Sequence, residues 1–276
     1  MTADRPSIVA ARRLARHAGI LRHGERMVPE EVPVAFSYGG TTHAVMMATP
    51  ADLEDFAVGF SLNEGIIAKP EDILAIEVVE QGPGIDIQIS LADPAADALR
   101  LRRRHMAGPV GCGLCGIESI EQALRPVPRI AATDLRLEGD EIVEAVRDLA
   151  QGQILNKATH AVHGAGFYIP GMGLVAVRED VGRHNALDKL SGAVLQAGYR
   201  GGDGVIAVTS RLSVEMVQKA ASLGSAVLLA ISAPTALAIR TAEGAGVTLA
   251  ALVRGEDFEI FTHADRIVPG AVADVA

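Results

Sequence analysis

The alternation of hydrophobic and polar positions changes character at about residue 158. Before that point, strand-like runs mix with helical ones in no fixed order. Residues 1 to about 32 sustain no apolar face and read as a flexible extension or a strand-poor lead-in. Residues 34–38 and 43–47, joined by Gly39-Gly40, predict a hairpin. From Pro50 a helix is expected to about Asn63, with Asp52, Glu54 and Asp55 where the helix dipole favours acids. Residues 73–80 and 85–91 read as strands, and residues 93–106, 117–124 and 141–150 as helices.

Beyond residue 158, short apolar runs alternate with stretches of helical period. Strands are predicted over 161–169, 174–177, 205–209, 226–231, 247–253 and 258–261, with helices over 184–196, 214–223 and 234–243. Such alternation predicts a sheet with helices on its faces. The expected fold class is therefore α/β: a smaller N-terminal α+β domain over residues 1–130, followed by a C-terminal three-layer α/β domain over 131–276.

Composition narrows the picture in two ways. Aromatics make up 3% and Trp is absent, so Ala, Val, Ile and Leu must fill the core. The formal net charge of -9 argues against general nucleic-acid binding, which needs a basic surface. The longest uncharged apolar run, 224–239, is shorter than the roughly 20 residues that span a bilayer. No signal segment is recognisable at the start, and the expected location is the cytoplasm.

That compartment sharpens the meaning of the two cysteines, Cys112 and Cys115, which stand in Gly111-Cys112-Gly113-Leu114-Cys115-Gly116. Cytosolic thiols stay reduced, so this spacing points to reactive or metal-binding sulfur and away from a structural disulfide. The flanking glycines predict a loop, and the helix expected from Ile117 sets Cys115 at an N-terminus, where thiolate is favoured. Arg100, Arg102, Arg103, Arg104 and His105 lead into the loop, either as a solvated helix end or as cations that lower the thiol pKa.

Polar clusters recur where the later strands end. Thr209-Ser210-Arg211 and Ser232-Ala233-Pro234-Thr235 each lead into a helix. In open α/β sheets ligands bind beyond the carboxyl ends of strands, and helix N-termini bind anions, so a phosphate-bearing ligand is the natural guess; ordinary N-capping is the plainer alternative. Residues 179–189, which include His184 and Lys189, are the densest in functional side chains, while His160 and His163 taken alone suit structural roles. There is no Walker-type loop, Gly164-Ala165-Gly166 lacks the third glycine of a dinucleotide fingerprint, no second Cys-x-x-Cys and no His pair at zinc-finger spacing follows the cysteines, and no proline immediately precedes Cys112 as the Pro-Cys-x-x-Cys of a zinc deaminase requires. No metal site is expected.

Three stretches, 111–118, 179–189 and 209–219, together resemble the formate dehydrogenase accessory sulfurtransferase family, FdhD. Residues 30–34, 46–50 and 59–67 extend the likeness over nearly the whole chain after about residue 28. The resemblance implies a sulfur carrier. A cysteine desulfurase loads a persulfide on the Cys-x-x-Cys loop, with Cys112 as the usual carrier, and the sulfur passes to the molybdenum cofactor before insertion into formate dehydrogenase. It implies the molybdopterin guanine dinucleotide form, with GDP as a mimic, bound by the stretch Leu252, Val253, Arg254, Gly255, Glu256 and Asp257. Two of those residues are acids, where an anionic ligand would prefer bases. Residues 156–160 depart from the usual pattern, although His160 still aligns. The resemblance further implies a cytidine deaminase-like C-terminal fold and a homodimer. A thioredoxin-like dithiol oxidoreductase and a non-catalytic cofactor chaperone are the alternatives. The first expects a strand directly before the motif, where this chain is basic and turn-like; the second differs from a carrier only in not using the thiols.

Overall fold

The computed structural model describes residues 5–106, 127–130 and 133–268; Cys112, Cys115, the helix predicted over 117–124 and the side chains of Arg102, Arg103, Arg104 and His105 lie outside the described residues. The fold is mixed α/β in three sheets. The first is a hairpin of β1 (Ile8–His17) and β2 (Ile20–Pro29), which corrects the strand-poor reading of the opening residues. Its strands are held by main-chain pairing with almost no buried side chain, so no alternation of apolar and polar residues marks them. The two-residue turn has φ of 47° at Ala18 and 86° at Gly19, and only the glycine is a turn signal.

The second sheet has the order β4-β3-β6-β5, built from β3 (Val32–Tyr38), β4 (Thr41–Ala48), β5 (Ile73–Gln81) and β6 (Gly84–Leu91). The Gly39-Gly40 turn adopts positive φ at both residues, as the hairpin reading required. Helix α1 (Leu53–Asn63) lies on one face. Three phenylalanines fill the space between them: Phe36 stacks on Phe60 at 4.0 Å and meets Phe56 edge-on at 4.8 Å. Helix α2 (Asp93–Met106) follows, as predicted.

The third sheet has six strands in the order β12-β11-β10-β9-β7-β8, formed by β7 (His163–Ile169), β8 (Gly173–Asp180), β9 (Val205–Val208), β10 (Val227–Ala230), β11 (Thr248–Arg254) and β12 (Asp257–Thr262). Only β9, β10 and β11 run parallel; the other pairings are antiparallel. Both faces are buried, which explains the continuous apolar runs of the central strands. Ile206, Val208, Leu228 and Ala230 face a core shared with α5 (Arg183–Gln196), α6 (Val214–Leu223) and α7 (Ala236–Ala245). Val205, Ala207, Val227 and Leu229 face α3 (Gly139–Gly152). The short helix α4 (Ile154–Thr159) was not predicted, because what starts it is remote. The Glu179 carboxylate accepts from Leu155 N at 2.7 Å and Asn156 N at 2.8 Å, satisfying the first free N–H groups of the helix.

The two halves join where α1 crosses α5. A β-carbon built on Gly59 would sit 1.7 Å from the Asp188 carbonyl oxygen, and one on Gly192 would sit 1.9 Å from that of Asp55. The backbones therefore touch, and only glycine fits. Gly59→Ala should destabilise the protein by about 3 kcal/mol or more through overpacking. Gly244→Ala, in a helix with open space around the glycine, should instead stabilise by about 0.5–1 kcal/mol. Urea midpoints of the two variants check both signs.

Candidate functional site

The carboxyl ends of β8, β9, β10 and β11 lie along one edge of the six-stranded sheet. Val208 pairs with Ala230 on one side and with Ala165 of β7 on the other, while His163 at the start of β7 pairs with Asp180 at the end of β8. Behind this rim stands a buried ion pair. Lys189 is 0% exposed, and its ammonium donates to Asp180 Oδ2 at 2.7 Å and to the Thr49 carbonyl at 2.9 Å. Asp180 Oδ2 also accepts from Thr49 N at 3.0 Å, and Oδ1 accepts from Gly182 N at 2.8 Å and Asn185 Nδ2 at 2.9 Å. With four donors, the carboxylate is fully satisfied. Lys189 Nζ further lies 5.3 Å from the ring centroid of Phe56, in the core of the first half.

A second buried pair adjoins it. Lys219 Nζ meets Asp188 Oδ1 at 2.6 Å, and Asn63 Nδ2 donates to the same oxygen at 2.7 Å. Burial pushes the Asp188 carboxyl up, against the pull of Lys219 and Asn63. Most of the charged stretch 179–189 thus binds elements together: Glu179 holds α4, Asp180 and Lys189 hold β4 and α1, and Asp188 holds α6. An enclosed Lys189 offers no surface to a ligand, so its part is to position the start of α5.

What faces the rim from that stretch is Arg183 and His184, in the first turn of α5. Both are part-buried, and Arg183 Nε and His184 Nε2 are shielded from solvent without a hydrogen-bond partner. Burial lowers His184 to about 4, helped by the Arg183 and Lys219 charges and resisted by Glu215, whose Oε2 lies 3.9 Å from Nε2. The ring is neutral at pH 7. Burial and Arg183 also lower His163, against Asp180. Glu215 lies below the ordinary carboxylate range: burial opposes its charge, but the adjacent Ser213 side chain and its own N–H, with His184 and Arg183 nearby, outweigh it. The result is a polar recess at the N-terminus of a 14-residue helix, where the Arg183 charge lies near ionised Glu215 and polar atoms are still unmatched. The Arg183 guanidinium and the dipole of the helix start are what it offers an anion.

Of the other residues singled out by sequence, Ser210 is buried at the rim and Arg211 is exposed beside it. Thr235 caps α7, accepting from Ala238 N at 3.2 Å, which is the plain capping role weighed for that cluster. Leu252, with φ of 58°, and Val253 lie in the irregular end of β11; Arg254, Gly255, Glu256 and Asp257 form its exposed turn into β12. That turn follows the same rim but carries net negative charge, so it fits an anion less well than the recess. His160 ends α4 with an exposed side chain and φ of 56°. His163, Arg183, Glu215 and Lys219 were not singled out for the site. The last two sit in the quoted 209–219 stretch, but only the fold shows that their helix faces α5.

The layered sheet and the buried Asp180–Lys189 clamp below its rim belong to a known class of protein. The FdhD/NarQ family model matches residues 29–268, and the chain belongs to that family. It is 69% identical over 260 residues to a protein of Agrobacterium fabrum named sulfur carrier protein FdhD, covering 93% of this chain and 96% of that one. A Brucella abortus biovar 1 protein of the same name is 59% identical over 255 residues, 92% of this chain and 95% of its own. Among solved structures, a protein of Desulfotalea psychrophila assigned as a formate dehydrogenase accessory protein superposes with a TM-score of 0.75 at 27% identity, covering 95% of this chain and all of that one. No helix among the described residues is long and apolar enough to cross a membrane.

Two outcomes test the site. Lys189→Met, of similar length, should cost about 3–5 kcal/mol in urea unfolding because it leaves Asp180 buried without its cation. The lowered pKa of His184 means that the folded protein prefers the neutral ring. That preference stabilises fully above the unfolded value of 6.5 and is lost as pH falls from there toward about 4. Allowing for a ring about one third exposed, it is worth roughly 1–2 kcal/mol. His184→Gln should therefore lose less stability than the parent protein between pH 7 and pH 4.5, measured by urea midpoints at the two pH values.

Proposed function

We propose that this protein is a cytoplasmic, homodimeric sulfur carrier that serves formate dehydrogenase. In this reading it takes sulfur from a cysteine desulfurase and delivers it to the molybdenum cofactor before that cofactor enters the enzyme. The observation that carries the reading is family membership over residues 29–268 joined to the paired thiols Cys112 and Cys115. Relatives with 69% and 59% identity are named sulfur carriers.

The chemistry balances without an outside oxidant. The Cys112 thiolate attacks the outer sulfur of the desulfurase persulfide; the bond to the desulfurase breaks, its thiolate leaves, and Cys112 becomes the persulfide. For release as sulfide, the Cys115 thiolate attacks the inner sulfur of Cys112. The two thiols then supply both electrons, sulfide departs, and a Cys112–Cys115 disulfide remains for a cellular thiol to reduce. The alternative, a thioredoxin-type oxidoreductase, needs a strand before the motif, and the last described element before it is helix α2.

The cofactor is cargo in this scheme. Its guanine dinucleotide carries phosphates, and the recess of Arg183 and His184 with exposed Arg211 suits them in charge and in unmatched donors. The Leu252–Asp257 stretch, with its two acids, would meet a less charged part of the ligand. In the same reading the three-layer second half is of the cytidine deaminase type, supported by helices on both faces of its sheet.

Incubation with a desulfurase and cysteine should add sulfur to the intact mass of the protein, and Cys112→Ala should fold normally yet lose transfer. Full transfer by a variant with both cysteines replaced would sink the carrier reading. For the cargo, Arg211→Ala should weaken GDP binding by about tenfold in calorimetry, while Arg136→Ala, on the surface elsewhere, should not. Equal affinities would move the nucleotide away from the rim.

A further inference from the structure

The hairpin of β1 and β2 lies apart from the rim at the start of α5, and residues 5–28 precede the family match at residue 29. Directly opposed residues share a face, so Ala10, Arg12, Leu14 and Arg16 lie with Met27, Glu25, His23 and Leu21 on one side. The other side includes Arg26, whose Nη2 donates to the Thr159 carbonyl at 3.0 Å and so turns toward α4. The first side is left to solvent, with Leu14 53% exposed, Leu21 61% and Met27 42%. A lone two-stranded ribbon is marginally stable in water, and apolar side chains grouped on its open face mark an interaction surface.

Charge indicates what covers it. Residues 5–29 hold six arginines and one glutamate, a net of +5. Residues 30–92 hold eleven acids and one lysine, a net of -10. On the second sheet, the face turned away from α1 exposes Val45, in register with Ala35 and Asp86, and Met47, in register with Pro33, and it carries exposed Glu77 opposite Gln88. We infer that the hairpin is a self-association arm: its Leu14–Leu21–Met27 face seats on that acidic, part-apolar sheet face of a second copy, and two-fold symmetry makes the exchange reciprocal. Nucleic acid fits less well, because apolar side chains interleave with the arginines and the rest of the chain repels phosphate. The inference rests on the homodimer in the proposed function and adds the surface that builds it.

Light scattering and sedimentation on the full chain test it, at low and high salt. The parent protein should be a dimer that weakens with salt. Leu14→Ser with Leu21→Ser, Arg12→Glu with Arg16→Glu, and Val45→Asp should each raise the dimer dissociation constant by at least about tenfold with unchanged circular dichroism. Met172→Ser, an exposed apolar residue outside both surfaces, should leave it unchanged. A parent dimer equally tight in the arm variants overturns the arm and leaves the homodimer standing. A parent protein that is monomeric throughout overturns both, and a monomer that binds RNA through the arm assigns the face to nucleic acid instead.

Discussion

The pair of Asp180 and Lys189 is the interaction on which the arrangement depends. It sits where β8 of the second half ends, where β4 of the first half ends and where α5 begins, and it reaches all three. A buried ion pair adds little net stability, since desolvation offsets most of the attraction. Its value lies in geometry: the four donors around Asp180 are satisfied in one register only. Lys189 also passes beside Phe56, so slippage between α1 and α5 would unmatch the charge as well as the packing. Gly59 and Gly192 complement this by letting the backbones touch at the same crossing.

The clamp has a chemical consequence. It fixes the first turn of α5, so Arg183 and His184 present their side chains to the rim. Burial beside two cations keeps His184 neutral, and the recess gains an imidazole that can donate or accept without adding charge. In the proposed function, a fixed helix start for a ligand and paired thiols between glycines suit a carrier that must hold one partner while its sulfur meets another. The cationic arm adds a third feature, since its charge contrasts with an otherwise acidic molecule.

Much of the fold was legible because burial imposes period. Residues 214–223 were read as a helix and form one with the same bounds, and the strands of the six-stranded sheet were each found within a few residues. The failures share a cause. The β1–β2 hairpin has no buried face, so main-chain pairing left no pattern; α4 starts on Glu179, more than twenty residues away, and no local cap announces it. In the site, motif density at 179–189 located the right segment but not the division of labour within it.

By itself, the sequence determined the family, the paired thiols between glycines and the sites where strands hand over to helices, because residue identity and spacing carry those directly. Only the tertiary structure decided which charges meet. Lys189 and His184 lie five positions apart on one helix, yet one faces Phe56 and Asp180 in the interior while the other faces the rim. Helical period places them on different sides, but what stands on each side is set by strands and helices more than 100 residues away, such as β4 and α1, and burial holds the His184 ring neutral.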